Sequence, residues 1–324
     1  MNGTVATRRE RVSEGVSGAD LRLLGYMPKQ FMICPLPVRS TPAEVKEYEK
    51  KYNNFRLRLV GADGVPGGKI ARDMLVLFAT EAVYKGAYRS HDDVGLHFNS
   101  ITQFAKSIGI ERNNYNKKII SLLKQFLGCN LYFEGEKKEG AQKTIGNGEF
   151  DFDAESGDKL EWKRMVNVPF ISRVDRIDLI KGGAKSGEPV AIDIYLSPQF
   201  VDMVCYPKSA VPVDFSVYRE IQSTLEADLY VWLVYKNKCK IGSDGAFISR
   251  KNLIEQFGEE NEGAERMKYV RILEAVGKIK KEYYPELDYK VIDKGSSHDK
   301  GIVLFKSEVP VGESDTRYVP LLSV

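Results

Sequence analysis

"FNSITQFAKSIG", Phe98 to Gly109, and "FISRKNLIEQFG", Phe247 to Gly258, can be laid on one another. In each, an aromatic residue comes first and a serine suited to cap a helix follows. An apolar core residue comes next, and a glycine closes the stretch. One match of this length is a thin basis for a repeat, but the flanks extend it. Upstream of the first copy, Ala71, Met74, Leu75, Phe78, Ala82 and Val83 recur at helical spacing. Upstream of the second, Leu225, Leu229, Trp232 and Leu233 stripe another helix. Downstream, the spacing predicts a third helix over residues 112–127 and its counterpart over 264–281. After a short insertion, Tyr115, Ile119 and Leu122 align with Tyr269, Leu273 and Val276 as buried stripes. Strand candidates close both blocks: "NLYFE", "EWKRMVNVPF" and "PVAIDIYL" in the first, "LDYKVID" and "GIVLFKS" in the second.

The opposite faces of the third helices agree as well. At about 100° per residue, Asn113, Asn114, Lys117, Ser121 and Lys124 face outward on the first. Met267, Lys268, Arg271, Ala275 and Lys278 do so on the second. Lys117 aligns with Arg271, and Lys124 with Lys278. Any surface helix carries lysines, so the local balance has to decide. Residues 100–133 hold five basic groups and one acid, and residues 264–281 hold six and two, in a chain whose net charge is only +3. Both excesses fall on the same element. Helix, short capped helix, turn, basic helix and hairpin is the layout of a winged helix-turn-helix. The expected fold class is therefore α+β, with tandem winged helix-turn-helix domains and β-hairpin wings. In that layout the third helix enters the major groove. Asparagine there suits adenine, arginine suits guanine, and lysines and the wing hold phosphates.

Sites for other chemistry fail on inspection. "GVPGGKIARDMLVLFATEAV", Gly64 to Val83, begins like a phosphate-binding loop. A Walker loop needs G-x-x-x-x-G-K-[ST]. Here Gly68-Lys69 is followed by Ile70, and Asp63 stands where the first glycine belongs. The glycines then read as the entry to a helix, with Lys69 and Arg72 either solvated or on a DNA backbone. "DFDAESGD", Asp151 to Asp158, has its glycine one place late for a calcium loop and Trp162 where the closing glutamate belongs. His91, His97 and His298 sit in no cluster, and no G-x-S-x-G elbow occurs. The four cysteines, Cys34, Cys129, Cys205 and Cys239, form no C-x-x-C pair and fit reduced thiols. No apolar run reaches the roughly 18 residues of a membrane span. The expectation is of no enzyme, no cofactor and no metal.

The chain of 324 residues is long enough for two domains. Residues 1–62 read as a polar, partly disordered N-terminal segment with one helical candidate, Thr41 to Lys51. Residues 63–208 make the first domain, with a long charged hairpin insertion at 135–160. Residues 209–307 make the second, and 308–324 a loose tail.

Several stretches resemble the plasmid-encoded RepA replication initiator family. They are "LYVWLVYK" (Leu229 to Lys236), "NLIEQFG", "YYPE" around Pro285, the Pro-Gly loop before "TEAV" (Thr80 to Val83), and "FAKSIGI" (Phe104 to Ile110). The likeness covers about Gly64 to Ser307. It implies a cytoplasmic bacterial protein that binds repeated origin sequences (iterons) in double-stranded DNA. Such a protein helps open the duplex, recruits the host initiator and helicase, interconverts between monomer and dimer, and represses its own promoter. Carried over, the reading heads are Asn113, Asn114, Lys117, Lys118 and Lys124, then Lys268, Arg271 and Lys278. Arg112, Arg250, Lys251 and Arg266 are candidates for DNA-backbone contact. The chain departs from the family at "ERNNYNKK", where glycines and a tryptophan are usual, and in the 135–160 insertion. A transcription regulator of the same fold is the alternative reading. An enzyme using the Gly64 to Lys69 loop is a third.

Overall fold

The computed structural model describes residues 22–53, 55–86, 94–110, 116–135, 165–176, 191–206, 209–239, 241–258, 263–294, 299–311 and 318–320. Strand β1 (Arg22–Pro28) comes first, followed by a short buried helix, α1 (Lys29–Ile33). Strands β2 (Glu47–Tyr52) and β3 (Phe55–Gly61) form an antiparallel pair. The helix expected over Thr41 to Lys51 is therefore a loop running into a strand. Pairing across the sheet overrides local propensity there. Arg58 reaches Glu47 at 2.6 Å, and Arg56 pairs with Glu49.

The first block follows as α2 (Gly68–Gly86), β4 (Gly95–Phe98), α3 (Ile101–Ser107) and α4 (Asn116–Gly128). Strands β5 (Cys129–Gly135), β6 (Met165–Pro169), β7 (Ile171–Asp175) and β8 (Ile192–Leu196) come next. They divide between two sheets. β4, β8 and β7 form one antiparallel sheet in that order, whereas β5 and β6 extend the pair β2-β3 into a four-stranded sheet. The strand expected over "EWKRMVNVPF" is β6, its first four residues lying outside the described ones, and "ISRVD" is a strand with no counterpart among the sequence expectations. The cause is a bulge. The register slips between Ile171 and Arg173, so the inward residues Ile171 and Val174 lie three apart and break the period of two.

A connector follows, made of α5 (Pro198–Cys205), β9 (Ala210–Asp214) and α6 (Phe215–Glu220). The second block then repeats the first. It runs α7 (Thr224–Lys238), β10 (Ala246–Ser249), α8 (Arg250–Phe257) and α9 (Glu265–Lys278), which widens into a π turn at Ile279–Tyr283. Strands β11 (Tyr289–Ile292) and β12 (Gly301–Leu304) close it, and the sheet order is β10-β12-β11. In both blocks, then, the strand after the first helix pairs antiparallel with the last strand of the hairpin.

The repeated stretch is equivalent down to its caps. Ser100 accepts from the Gln103 amide at 3.1 Å, and Ser249 from the Asn252 amide at 3.2 Å. Phe104 and Leu253 are buried at the matching core position. The closing glycines differ. Gly109 has φ +79°, which a side chain rarely adopts, while Gly258 has φ −73°.

Parts outside the repeat tie the blocks together. β1 lies between β9, antiparallel, and the parallel strand β13 (Tyr318–Pro320), and it packs on α2. Residues 22–33 thus pack on both blocks, and residues 318–320 pair with β1. A strand stands at residues 22–28 where a polar, partly disordered segment is expected. Val311 is also fully buried. Residues 1–21 and nearly all of the 135–160 insertion lie outside the described residues. α7 is buried on every side from Leu229 to Val234, as an apolar stretch must be when it sits between layers. Trp232 meets Phe257 edge-on at 5.3 Å.

Candidate nucleic-acid interface

The glycine loop is occupied by the protein's own backbone. The Gly68 amide donates to the Pro37 carbonyl at 2.9 Å. A Cβ on Gly67 would stand 2.4 Å from the Arg39 carbonyl oxygen. The glycines therefore let residues 37–40 approach the start of α2. Arg72 does not reach solvent. Its guanidinium donates to both Asp228 oxygens at 2.7 Å and to the carbonyls of Leu36, Pro37 and Gly68. Lys69 pairs with Asp73 and lies 4.5 Å from the Tyr218 ring centroid. Burial pushes the Lys69 ammonium down and the Asp73 carboxyl up to about 6. Burial also opposes the charge of Arg72, but the Asp228 carboxylate more than offsets it and holds the guanidinium firmly protonated. Arg72 is engaged between the two blocks, and Lys69 is engaged within α2 and against the connector, so neither is left for the DNA-backbone alternative.

On α9, Arg266, Met267, Val270, Arg271, Glu274 and Lys278 are exposed, and Lys268 is half-buried. The outward face is rotated from the one expected. Ala275, placed outward by the sequence alignment, is 6% exposed and belongs to the core. Its small side chain leaves the helix free to pack closely on that side. Val270 and Glu274 take its place on the surface, each three residues beyond Met267 and Arg271 respectively. Lys278 is exposed but paired, since its ammonium donates to the two Glu226 oxygens at 3.1 and 2.9 Å. That hydrogen bond raises its pKa. At the start of α8, Lys251 is exposed. Arg250 is half-buried, with its guanidinium 5.5 Å from the Tyr269 ring centroid.

On α4, Lys117, Lys118 and Ser121 are exposed and Lys124 is half-buried. Arg112, Asn113 and Asn114 lie outside the described residues. Ile119, Leu122, Leu123 and Phe126 fill the core, and Gln125 is buried with its amide on the Thr41 carbonyl at 3.2 Å. The four-stranded sheet covers one flank of α4 through β3 and β6, so its open strip is narrower than that of α9.

The hairpins add cations that the sequence reading passed over. On β7–β8, Arg173 is 61% exposed and stacks 4.0 Å from the Tyr195 ring centroid, with Asp175 at 3.1 Å. Arg176, at φ +64°, shares Asp193 with His97. The hydrogen bond from His97, joined by the Arg176 contact, outweighs the opposing effect of burial and leaves the Asp193 carboxyl below its usual range. On β11–β12, Lys290 is exposed and Lys300 pairs with Asp293 at 3.2 Å. A period-two count misses β7, so the sequence offered no strand on which to place Arg173.

Among the described residues, no group of three His, Cys, Asp or Glu side chains is placed to hold a metal ion. None of their helices is long and apolar enough to cross a membrane. All four cysteines are free, and burial pushes Cys34 and Cys129 each up to about 12.

No family model matches the chain, and no curated protein matches it in sequence. Among solved structures it is similar to selenomethionine derivatives of domains 2 and 3 of RctB. The identity is 10% and the TM-score 0.48, over 88% of this chain and 97% of that one. A second structure of RctB domains 2–3 gives 10% identity and a TM-score of 0.42, over 82% and 91%.

Proposed function

We propose that this protein is a sequence-specific DNA-binding replication initiator whose two repeated blocks are winged helices. α4 and α9 are the groove-reading helices, and β7–β8 and β11–β12 are the wings. The long β5–β6 hairpin belongs to the other sheet and is not the first wing. One observation carries the reading. Both blocks share one topology, and each turns exposed cations outward on the same third helix: Lys117 and Lys118 on α4, Arg266 and Arg271 on α9. That is the arrangement that sets phosphate contacts around base contacts. Lys268, Lys124, Arg250 and Lys251 support the backbone contact, and Lys278 is held back by Glu226.

The RepA-like stretches supply the initiator role, with origin repeats as the target and host initiator and helicase as partners. They also supply the monomer–dimer equilibrium, promoter repression and a bacterial cytoplasmic setting. The protein acts by binding, not catalysis. A plasmid lacking its own replicon, given the DNA that flanks the coding sequence, tests this role. It should be maintained when the protein is supplied and lost with Lys117→Glu/Lys118→Glu. DNA binding without maintenance would leave a transcription regulator.

A further inference from the structure

Met267 is 51% exposed and Val270 37%. Single apolar side chains on a surface are ordinary, but these two adjoin on one helix face at a spacing of three. They lie in the first half of α9, the part that a groove-reading helix presents to base edges. Met267, Val270, Arg271 and Glu274 fall within roughly 100° of one another around the axis. Arg266 and Lys268 flank this strip on either side. Protein-binding patches are depleted of charge at their centre, whereas this pair sits among cations. Duplex DNA can satisfy both at once, with phosphates for the cations and the C5-methyl of thymine for apolar side chains in the major groove.

We infer that Met267 and Val270 read thymine methyl groups, and so bias the second block toward sites with thymine under the start of α9. The inference rests on α9 being a groove-reading helix. Arg271, next to them, holds the register on a guanine or a phosphate. Glu274, which phosphate repels, suits the amino group of a cytosine on the same strip.

The test uses the full-length protein and duplexes selected by it from a random library. Thymines in a selected site are replaced by deoxyuridine, which deletes the methyl group alone. The wild type should lose roughly fourfold in affinity for each contacted methyl, the worth of one buried methylene-sized group. Met267→Ala/Val270→Ala should bind thymine and deoxyuridine duplexes equally. Selected sites bound equally well with deoxyuridine by the wild type would overturn the inference and leave DNA recognition standing. An equal loss in the double variant would also overturn it, because the methyls would then act through DNA shape. A library from which no site emerges above random duplex would overturn the proposed function itself. The deoxyuridine comparison on the wild type needs no variant to fold.

Discussion

Arg72 on α2 and Asp228 on α7 join the first helices of the two blocks through two hydrogen bonds of 2.7 Å, both side chains being buried. Two charges out of water are costly, and their attraction repays the cost only with this kind of geometry. The pair therefore fixes how the blocks sit against each other more than it adds stability. Removing one partner should be severe. Arg72→Ala or Asp228→Ala is expected to lose about 3–5 kcal/mol, since each strands a buried charge. Arg72→Met/Asp228→Leu should recover most of that loss. Urea unfolding of the wild type, the two alanine variants and Arg72→Ala/Asp228→Ala gives the cycle, and additive single losses would argue against a coupled pair.

Asp73 gives the same region a pH signature. Burial raises its carboxyl from 3.8 to about 6. The folded state thus keeps a proton that the unfolded chain has already lost. The stability from this group is fully present below about pH 4 and lost as pH rises to about 6. Asp73→Asn carries no such slope. The urea midpoint of the wild type should therefore fall relative to that variant between about pH 4 and 6. A constant difference across that window would remove the assignment.

The loop that first suggested a nucleotide makes its own prediction. Millimolar ATP with magnesium should leave the Tm unchanged, because a bound ligand would raise it. Gly67→Ala should cost about 1–3 kcal/mol, as its Cβ would press on the Arg39 carbonyl. Thermal melts report both effects, and a rise in Tm with ATP would reopen the enzyme reading.

Much of the repeat was legible because it rests on local rules. Ser100 and Ser249 are caps by residue type and position, and the buried stripes of α4 and α9 follow helical spacing. The rest depended on distant partners. Leu23 to Pro28 read as part of a polar segment, yet β9 and β13 make them a central strand. Lys29 and Gln30 are buried in spite of their polarity. Arg72 looks like a surface cation until Asp228, in the other block, is placed beside it. On α9 the alignment gave the helix but not its exact rotation, because Ala275 is as acceptable outside as inside. Only packing chose between it and Val270.

The caps are open to direct measurement. Ser100→Ala and Ser249→Ala should each cost about 1 kcal/mol, the usual loss when a capping oxygen is removed. Chemical denaturation can resolve that. Two losses of similar size would match the equivalence of the copies, and no loss at either would contradict the cap geometry.

The central claim is that both third helices bind duplex DNA, and salt-dependent binding tests it most directly. Affinity for a duplex from the flanking DNA is measured across a range of salt, for the wild type, Lys117→Ala/Lys118→Ala, and Arg266→Ala/Arg271→Ala. The account predicts a steep fall with salt for the wild type. Each pair of substitutions should weaken binding, with the log–log slope reduced by about one for every phosphate contact removed. Affinity and slope unchanged in either variant would contradict it.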